Sequence, residues 1–239
     1  MVDQFKHRSS DLELMDLPIV KKEELFTNLK ELIQINKMTG GPSLGFYGIQ
    51  QLLKHHRPDQ QEIHIVDIGF GAGDMLNYLS EHIDKFPVRI KLTGIDIMPE
   101  AFDFVKQQYP DLVNKVNFVR ADYKDWFTQG NRPDIVVASL FCHHLDMTEM
   151  NDFLSFIRTH VKIGAVINDL ERSRIAYYGI MILTRLFSKS RFTKNDAPLS
   201  VLRGFTSLEW KDLMSKNKIF NFSLKWKWAF RHLIIIKSS

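Results

Sequence analysis

Val66-Asp67-Ile68-Gly69-Phe70-Gly71-Ala72-Gly73-Asp74 joins a short β-rich run, Ile63-His64-Ile65-Val66, to a helical segment, Met75 to Ile83. Its three glycines alternate directly after the strand. Glycine at such positions permits a tight turn and lets a ligand approach the backbone closely. Alternating glycines alone mark nucleotide-binding turns of several kinds, so the neighbouring residues must narrow the choice. The spacing is Gly-x-Gly-x-Gly, and Asp74 stands where a dinucleotide fingerprint carries Gly or Ala. Carboxylates at Asp67 and Asp74 would repel a pyrophosphate and tolerate a ligand carrying positive charge. No Lys-Ser or Lys-Thr pair closes the loop, which excludes a phosphate-binding P-loop.

Outward from the loop, the pattern predicts further strands at Ile90 to Ile97, Val116 to Val119, Asp134 to Ser139 and around Val166-Ile167. Between them lie helical stretches at Pro99 to Tyr109, with proline in its first turn, and at Thr148 to His160. Strands alternating with helices imply crossovers, a mainly parallel sheet and helices on both faces. The expected fold is therefore α/β and doubly wound. Ligands of such sheets sit at the carboxyl ends of the strands, near the switch in strand order. The second strand ends in Gly94-Ile95-Asp96-Ile97, 29 residues after Asp67, and the third leads into Arg120-Ala121-Asp122-Tyr123. A carboxylate at Asp96 can accept hydrogen bonds from both hydroxyls of a ribose, and one at Asp122 from an adenine amino group.

The whole chain sets bounds on this reading. Its 239 residues suffice for one large α/β domain, and 44% hydrophobic and 25% charged residues are ordinary for a packed core. A net charge of +4 is a weak bias, short of the clustered basic surface of a dedicated nucleic-acid binder. One cysteine, Cys142, excludes an internal disulfide and a multi-cysteine metal site, so a reducing, cytoplasmic compartment is expected. Met1 to Ser10 does not resemble a signal peptide. Leu233-Ile234-Ile235-Ile236 is too short to span a bilayer, which takes about 20 residues, and reads as a buried strand.

Taken together, VDIGFGAGD, GIDI, RADY and PDIVVASLFCHHL resemble the class I S-adenosylmethionine-dependent methyltransferase family over roughly Glu62 to Asp169. The resemblance implies a seven-stranded, Rossmann-like sheet whose last strand is antiparallel. It implies S-adenosylmethionine as cofactor, bound by residues that include Gly71 and Gly73, with Asp67 and Gly69 by its methionine part. Asp96 and Ile97 would lie by the ribose and Asp122 with Tyr123 by the adenine. Ser139 and Leu140, ending strand four, would face the cofactor's other side. The outer segments Glu13-Leu14-Met15-Asp16, Ile35-Asn36-Lys37, Asn168-Asp169-Leu170-Glu171-Arg172 and Pro198 to Thr206 are similar to a bacterial subgroup of ubiquinone/menaquinone-type methyltransferases. These often accompany polyketide or aryl-lipid pathways, so by analogy the acceptor is phenolic or polyketide-like.

The expected organisation is one domain: an N-terminal helical cap over 1–60, the cofactor core over 61–170, a helical lid insertion over 171–205, and a C-terminal helix with a strand hairpin over 206–239. An oxygen acceptor must lose a proton, and His144, with His143 second, follows strand four at the ligand edge. No metal is expected, since His143, His144 and Asp146 have no evident further ligand. Asn168, Asp169, Arg172, Tyr177 and Arg203 are candidates for the acceptor pocket. The apolar stripe of the insertion, including Tyr178, Ile180, Leu183 and Phe187, favours a hydrophobic or aromatic small molecule. Together with Arg185, Lys189, Arg191 and Lys194, it also suggests a weak peripheral membrane contact. Carbon methylation is the alternative, and an RNA or protein methyltransferase ranks below both. The chain has no Asn-Pro-Pro-Tyr-like tetrad after strand four and no RNA-binding module, so no nucleic-acid partner is expected. Monomer and homodimer both remain open.

Overall fold

The strand-and-helix alternation that begins at the glycine loop builds a seven-stranded sheet. In this computed structural model, residues 4–17, 21–54 and 62–238 are described. The strands are β1 (Glu62–Ile68), β2 (Arg89–Asp96), β3 (Val116–Arg120), β4 (Ile135–Ser139), β5 (Gly164–Leu170), β6 (Phe222–Lys227) and β7 (Arg231–Lys237). Their order is β3-β2-β1-β4-β5-β7-β6. The first five pair in parallel, and β7 runs antiparallel to both β5 and β6. The order reverses between β1 and β4, so the crevice for a ligand opens at the carboxyl ends of those two strands.

Each central strand is apolar on both faces, as buried parallel strands must be. Ile63, Ile65, Val137 and Leu233 meet Ile49 and Leu52 of α2 (Gly41–Leu53), Leu76 of α3 (Asp74–Glu81) and Val105 of α4 (Pro99–Gln108). Val66, Val136, Ile167 and Ile234 point the other way. They meet Trp126 of α5 (Tyr123–Thr128), Phe153 of α6 (Met147–His160) and Trp210 of α9 (Ser207–Lys216). Helix α2 lies close on the sheet because Gly48 has no side chain: a Cβ there would sit 2.4 Å from Val166 Cγ1.

The cap consists of a 3₁₀ turn at Leu14–Asp16, α1 (Lys22–Met38) and α2, broken by Gly40 in the left-handed conformation. The insertion after β5 is a pair of packed helices, α7 (Arg174–Phe187) and α8 (Arg191–Arg203), with α8 also against α1. Helix α5 lies outside the expected pattern, and α8 falls inside the expected helical insertion over 171–205 without a hydrophobic period of its own. Helix α5 spans only six residues, and α8 buries polar residues, Thr193, Asp196 and Ser200, on the faces that a hydrophobic period would mark. The β6–β7 pair forms the expected closing hairpin. Cys142 is a free, buried thiol, matching the single-cysteine reading. Among the described residues no helix is long and apolar enough to cross a membrane.

Candidate active site

The glycine loop has the backbone that its sequence requires. Gly69, Gly71 and Gly73 have φ of 68°, 47° and 74°, in the left-handed region that side chains disfavour. At Gly69 space also forbids a side chain, since a Cβ would lie 2.3 Å from Phe141 Cδ2. Asp96 ties the loop to the end of β2: its carboxylate accepts from the Gly71 and Met98 amides, both at 2.9 Å. Burial raises the pKa of Asp96, and those amide bonds act against the rise. Burial also raises Asp67 and Asp74, and the Asp67 carboxyl is pushed further by its neighbours Asp74 and Asp96. Three crowded carboxyls at the ends of β1 and β2 suit a cationic ligand and disfavour an anionic one.

A cavity of about 800 Å³ opens over this loop. Gly69, Gly71, Asp74, Asp96 and Ile97 form one side, and Ser139, Leu140 and Phe141 line the end of β4. Leu25, Leu29 and Ile33 of α1, Ile180 and Leu183 of α7, and Val201 of α8 make the roof largely aliphatic. The turn between β6 and β7 adds Trp228 and Phe230, and Arg231 opens β7.

The two histidines after β4 occupy different environments. His143 is buried, with its Nδ1 2.6 Å from Asp169 Oδ1 and its amide donating to Asp169 Oδ2 at 3.0 Å. Its Nε2 lies 3.8 Å from Glu13 Oε1, an oxygen that also accepts from Ser200 Oγ at 2.8 Å. Burial opposes charge on Asp169, but His143 prevails and holds the carboxyl below its usual value. His144 is partly exposed, with Nδ1 3.2 Å from Asp16 Oδ2. Burial would lower its pKa, yet Glu13 and the Asp16 hydrogen bond raise it to about 9. Arg203 fixes the turn by donating to the carbonyls of His143, at 3.1 Å, and His144, at 2.8 Å. Glu13, His143 and His144 could each offer a metal one ligand atom, all within 4.8 Å of one another. Asp146 instead caps α6 by accepting from the Glu149 amide at 2.8 Å.

Of the residues singled out from sequence, Gly69, Gly71, Asp96, Ile97, Ser139, Leu140, His143, His144 and Arg203 line the cavity. Asp74, Ile180 and Leu183 line it as well, while Asp67, Gly73, Asp122, Tyr123, Asn168, Asp169, Arg172 and Tyr177 are not part of its lining. Asp67 is buried beneath the loop, and Gly73 enters α3 against Val105. Asp122 caps α5 through the Lys124 amide at 2.8 Å, and Tyr123 packs among Phe141, Phe153 and Phe156. Asn168 donates to the Gly41 carbonyl at 3.1 Å. Asp169 holds His143, while Arg172 donates to Phe5 O, Gly204 O and Glu209. Tyr177 packs edge-on against Phe5. All five acceptor candidates thus hold neighbouring segments, and of them Arg203 also lines the cavity. Sequence reasoning missed Glu13, Asp16, Asn36 and Arg231 as cavity residues. The only signal for the first three was the similarity of their segments to the bacterial subgroup, and Arg231 had none.

Residues 65–164 match the family model described as a methyltransferase domain. No curated protein sequence matches the chain. Among solved structures, human N-acetylserotonin methyltransferase, in complex with S-adenosylmethionine, is similar at a TM-score of 0.62 with 18% identity. That similarity covers 92% of this chain but only 57% of the human one. The plantazolicin methyltransferase BpumL, bound to a triazolic substrate analogue and S-adenosylhomocysteine, gives a TM-score of 0.64 at 17% identity, covering 91% of this chain and 98% of that one. An O-methyltransferase family protein from Burkholderia thailandensis gives 0.58 at 14% identity, covering 88% and 58% of the two chains.

Proposed function

We propose that this chain, an S-adenosylmethionine-dependent methyltransferase of the class I fold by residues 65–164 and strand order, methylates an oxygen of a small aromatic or otherwise largely apolar acceptor, such as a phenol, polyketide or quinone precursor. The observation that carries this reading is one cavity lined both by the carboxylate-bearing glycine loop and by an aliphatic roof, with His144 also on its wall. The structural neighbours whose names specify acceptors are methyltransferases of N-acetylserotonin and of plantazolicin.

The donor set fits the cofactor. Asp96 would accept from the ribose hydroxyls, and Asp67 and Asp74 would offset the positive charge at the methionine end. Asp122 lies outside the cavity lining and caps α5 through the Lys124 amide. Bound there, S-adenosylmethionine supplies a methyl group already activated by its sulfonium. The protein's part is then to align the acceptor and keep water out. The α1, α7 and α8 side chains do this by enclosing an apolar ring. His144 handles the acceptor proton. With a pKa near 9 it is a cation at neutral pH and stabilises an ionised acceptor oxygen by donating to it. Its neutral, proton-accepting form grows as pH rises toward that value.

The test is turnover of S-adenosylmethionine with a panel of phenols and hydroxylated polyketides, analysed for the methylated atom. O-methyl products support the reading; ring-carbon methylation would replace it with the alternative chemistry.

A further inference from the structure

Arg231 is a buried cation with unused donors. The residue is 2% exposed and borders the cavity at the start of β7. Its Nη2 donates to Thr39 Oγ1 at 2.8 Å, while Nε and Nη1 have no partner. Asp169 and Asp74 act on it only through their fields, and Asp169 is already engaged by His143. Burial lowers its pKa to about 10, against the pull of Asp169 and Asp74, so it stays charged at neutral pH. A desolvated guanidinium with two idle nitrogens, three N–H groups between them, is costly unless a ligand anion completes it. The fork geometry of guanidinium matches a carboxylate.

We propose that Arg231 anchors a ligand carboxylate in this cavity. This rests on the cofactor reading above, because Asp74 lines the same cavity and acts on Arg231 through its field. A carboxylate beside this guanidinium forms a complement to a zwitterion, an ammonium next to a carboxylate, which is the amino-acid end of the cofactor. An acidic acceptor would offer the same group.

Calorimetry separates these sources. S-adenosylhomocysteine carries the amino-acid end, and 5′-methylthioadenosine keeps the nucleoside and sulfur but lacks it. Arg231→Gln should weaken S-adenosylhomocysteine about 10- to 100-fold, the worth of one charge-assisted bond. It should leave 5′-methylthioadenosine within about twofold. Arg231→Lys, which keeps the charge and loses the fork, should fall between. If S-adenosylhomocysteine binding is unchanged but KM rises for 4-hydroxybenzoate and not for phenol, the anchored carboxylate belongs to the acceptor. Equal weakening of both nucleosides, or no change in any of these quantities, overturns the proposal. Failure of the unaltered protein to bind S-adenosylhomocysteine would instead sink the cofactor reading.

A separate observation concerns the outer face of α7. Ile175, Ile182 and Leu186 form one helical stripe that is 72%, 56% and 71% exposed, beside Tyr178 and Phe187. Ile175 and Leu183 also line the cavity, so the stripe continues into its mouth. Residues 172–195 hold six Lys and Arg and no Asp or Glu, although the whole chain is only +4. Arg185, Lys189 and Lys194 are exposed. We infer that α7 docks on an anionic lipid surface, its apolar stripe entering the interface and its flanking cations meeting headgroups. A second copy of the chain would be a poor occupant, because symmetric contact sets this basic segment against itself. The protein should co-sediment with phosphatidylcholine vesicles containing phosphatidylglycerol, lose that binding at high salt, and lose it in an Ile182→Asp, Leu186→Asp variant that still binds S-adenosylhomocysteine. Absence of vesicle binding, or a dimer in solution that this variant dissociates, overturns the inference.

Discussion

Gly69 and His144 answer different questions at the level of single residues. Gly69 combines a left-handed backbone with a 2.3 Å contact for any added Cβ. Gly69→Ala must therefore move Phe141 or the loop, at a cost of about 1–3 kcal/mol, and should reduce cofactor affinity, read by calorimetry on the folded variant. His144 should matter to transfer and not to cofactor binding. His144→Ala should lower kcat by about 10²- to 10⁴-fold while S-adenosylhomocysteine affinity stays within about twofold; unchanged turnover would remove its role. If its neutral form accepts the proton, kcat/KM should rise with pH and level off near 9. The glycines and Asp96 were legible because backbone strain and strand-end position leave a local signature. Arg231 and the Glu13 contact were not, because their relevance depends on segments distant in sequence meeting at one wall.

At the scale of elements, the packing of α2 on β5 turns on Gly48. Gly48→Ala should destabilise the protein by about 1–3 kcal/mol through overpacking against Val166, measured by chemical denaturation. Helix α9 is tied to the start of the insertion by Arg172 Nη2, which donates to Glu209 Oε1 at 2.6 Å. Burial opposes charge on Glu209, but Arg172 and the Thr206 bonds hold its pKa below the usual value. A depressed carboxylate pKa stabilises the fold above its unfolded value and loses that contribution as pH falls through the folded one. Glu209→Gln should thus cost about 0.5–1 kcal/mol at neutral pH, because solvent screens this carboxylate, with the gap to the parent closing in acid. The strands of the core were readable from short apolar runs bounded by turns. Helix α8 was not, since Thr193, Asp196 and Ser200 are buried by hydrogen bonds to the cap, and such burial erases the amphipathic period.

For the whole molecule, the sheet order places every strand-end carboxylate on one edge, and the cap, insertion and closing hairpin converge over that edge. The sequence-based reading reached the sheet because alternation dictates it. The roof was harder to foresee, being built from both ends of the chain. The Glu13, His143 and His144 cluster bears on the reaction class as well. Proton handling by His144 predicts that dialysis against a chelator leaves turnover unchanged; a loss restored by a divalent cation would assign these residues to a metal. The most direct test is calorimetric titration of S-adenosylmethionine into the folded protein and its Asp96→Ala variant. The account predicts saturable binding at one site, weakened about 10- to 100-fold in the variant as the ribose loses its acceptor. No binding to the folded parent protein, or equal affinity in the two, would contradict it.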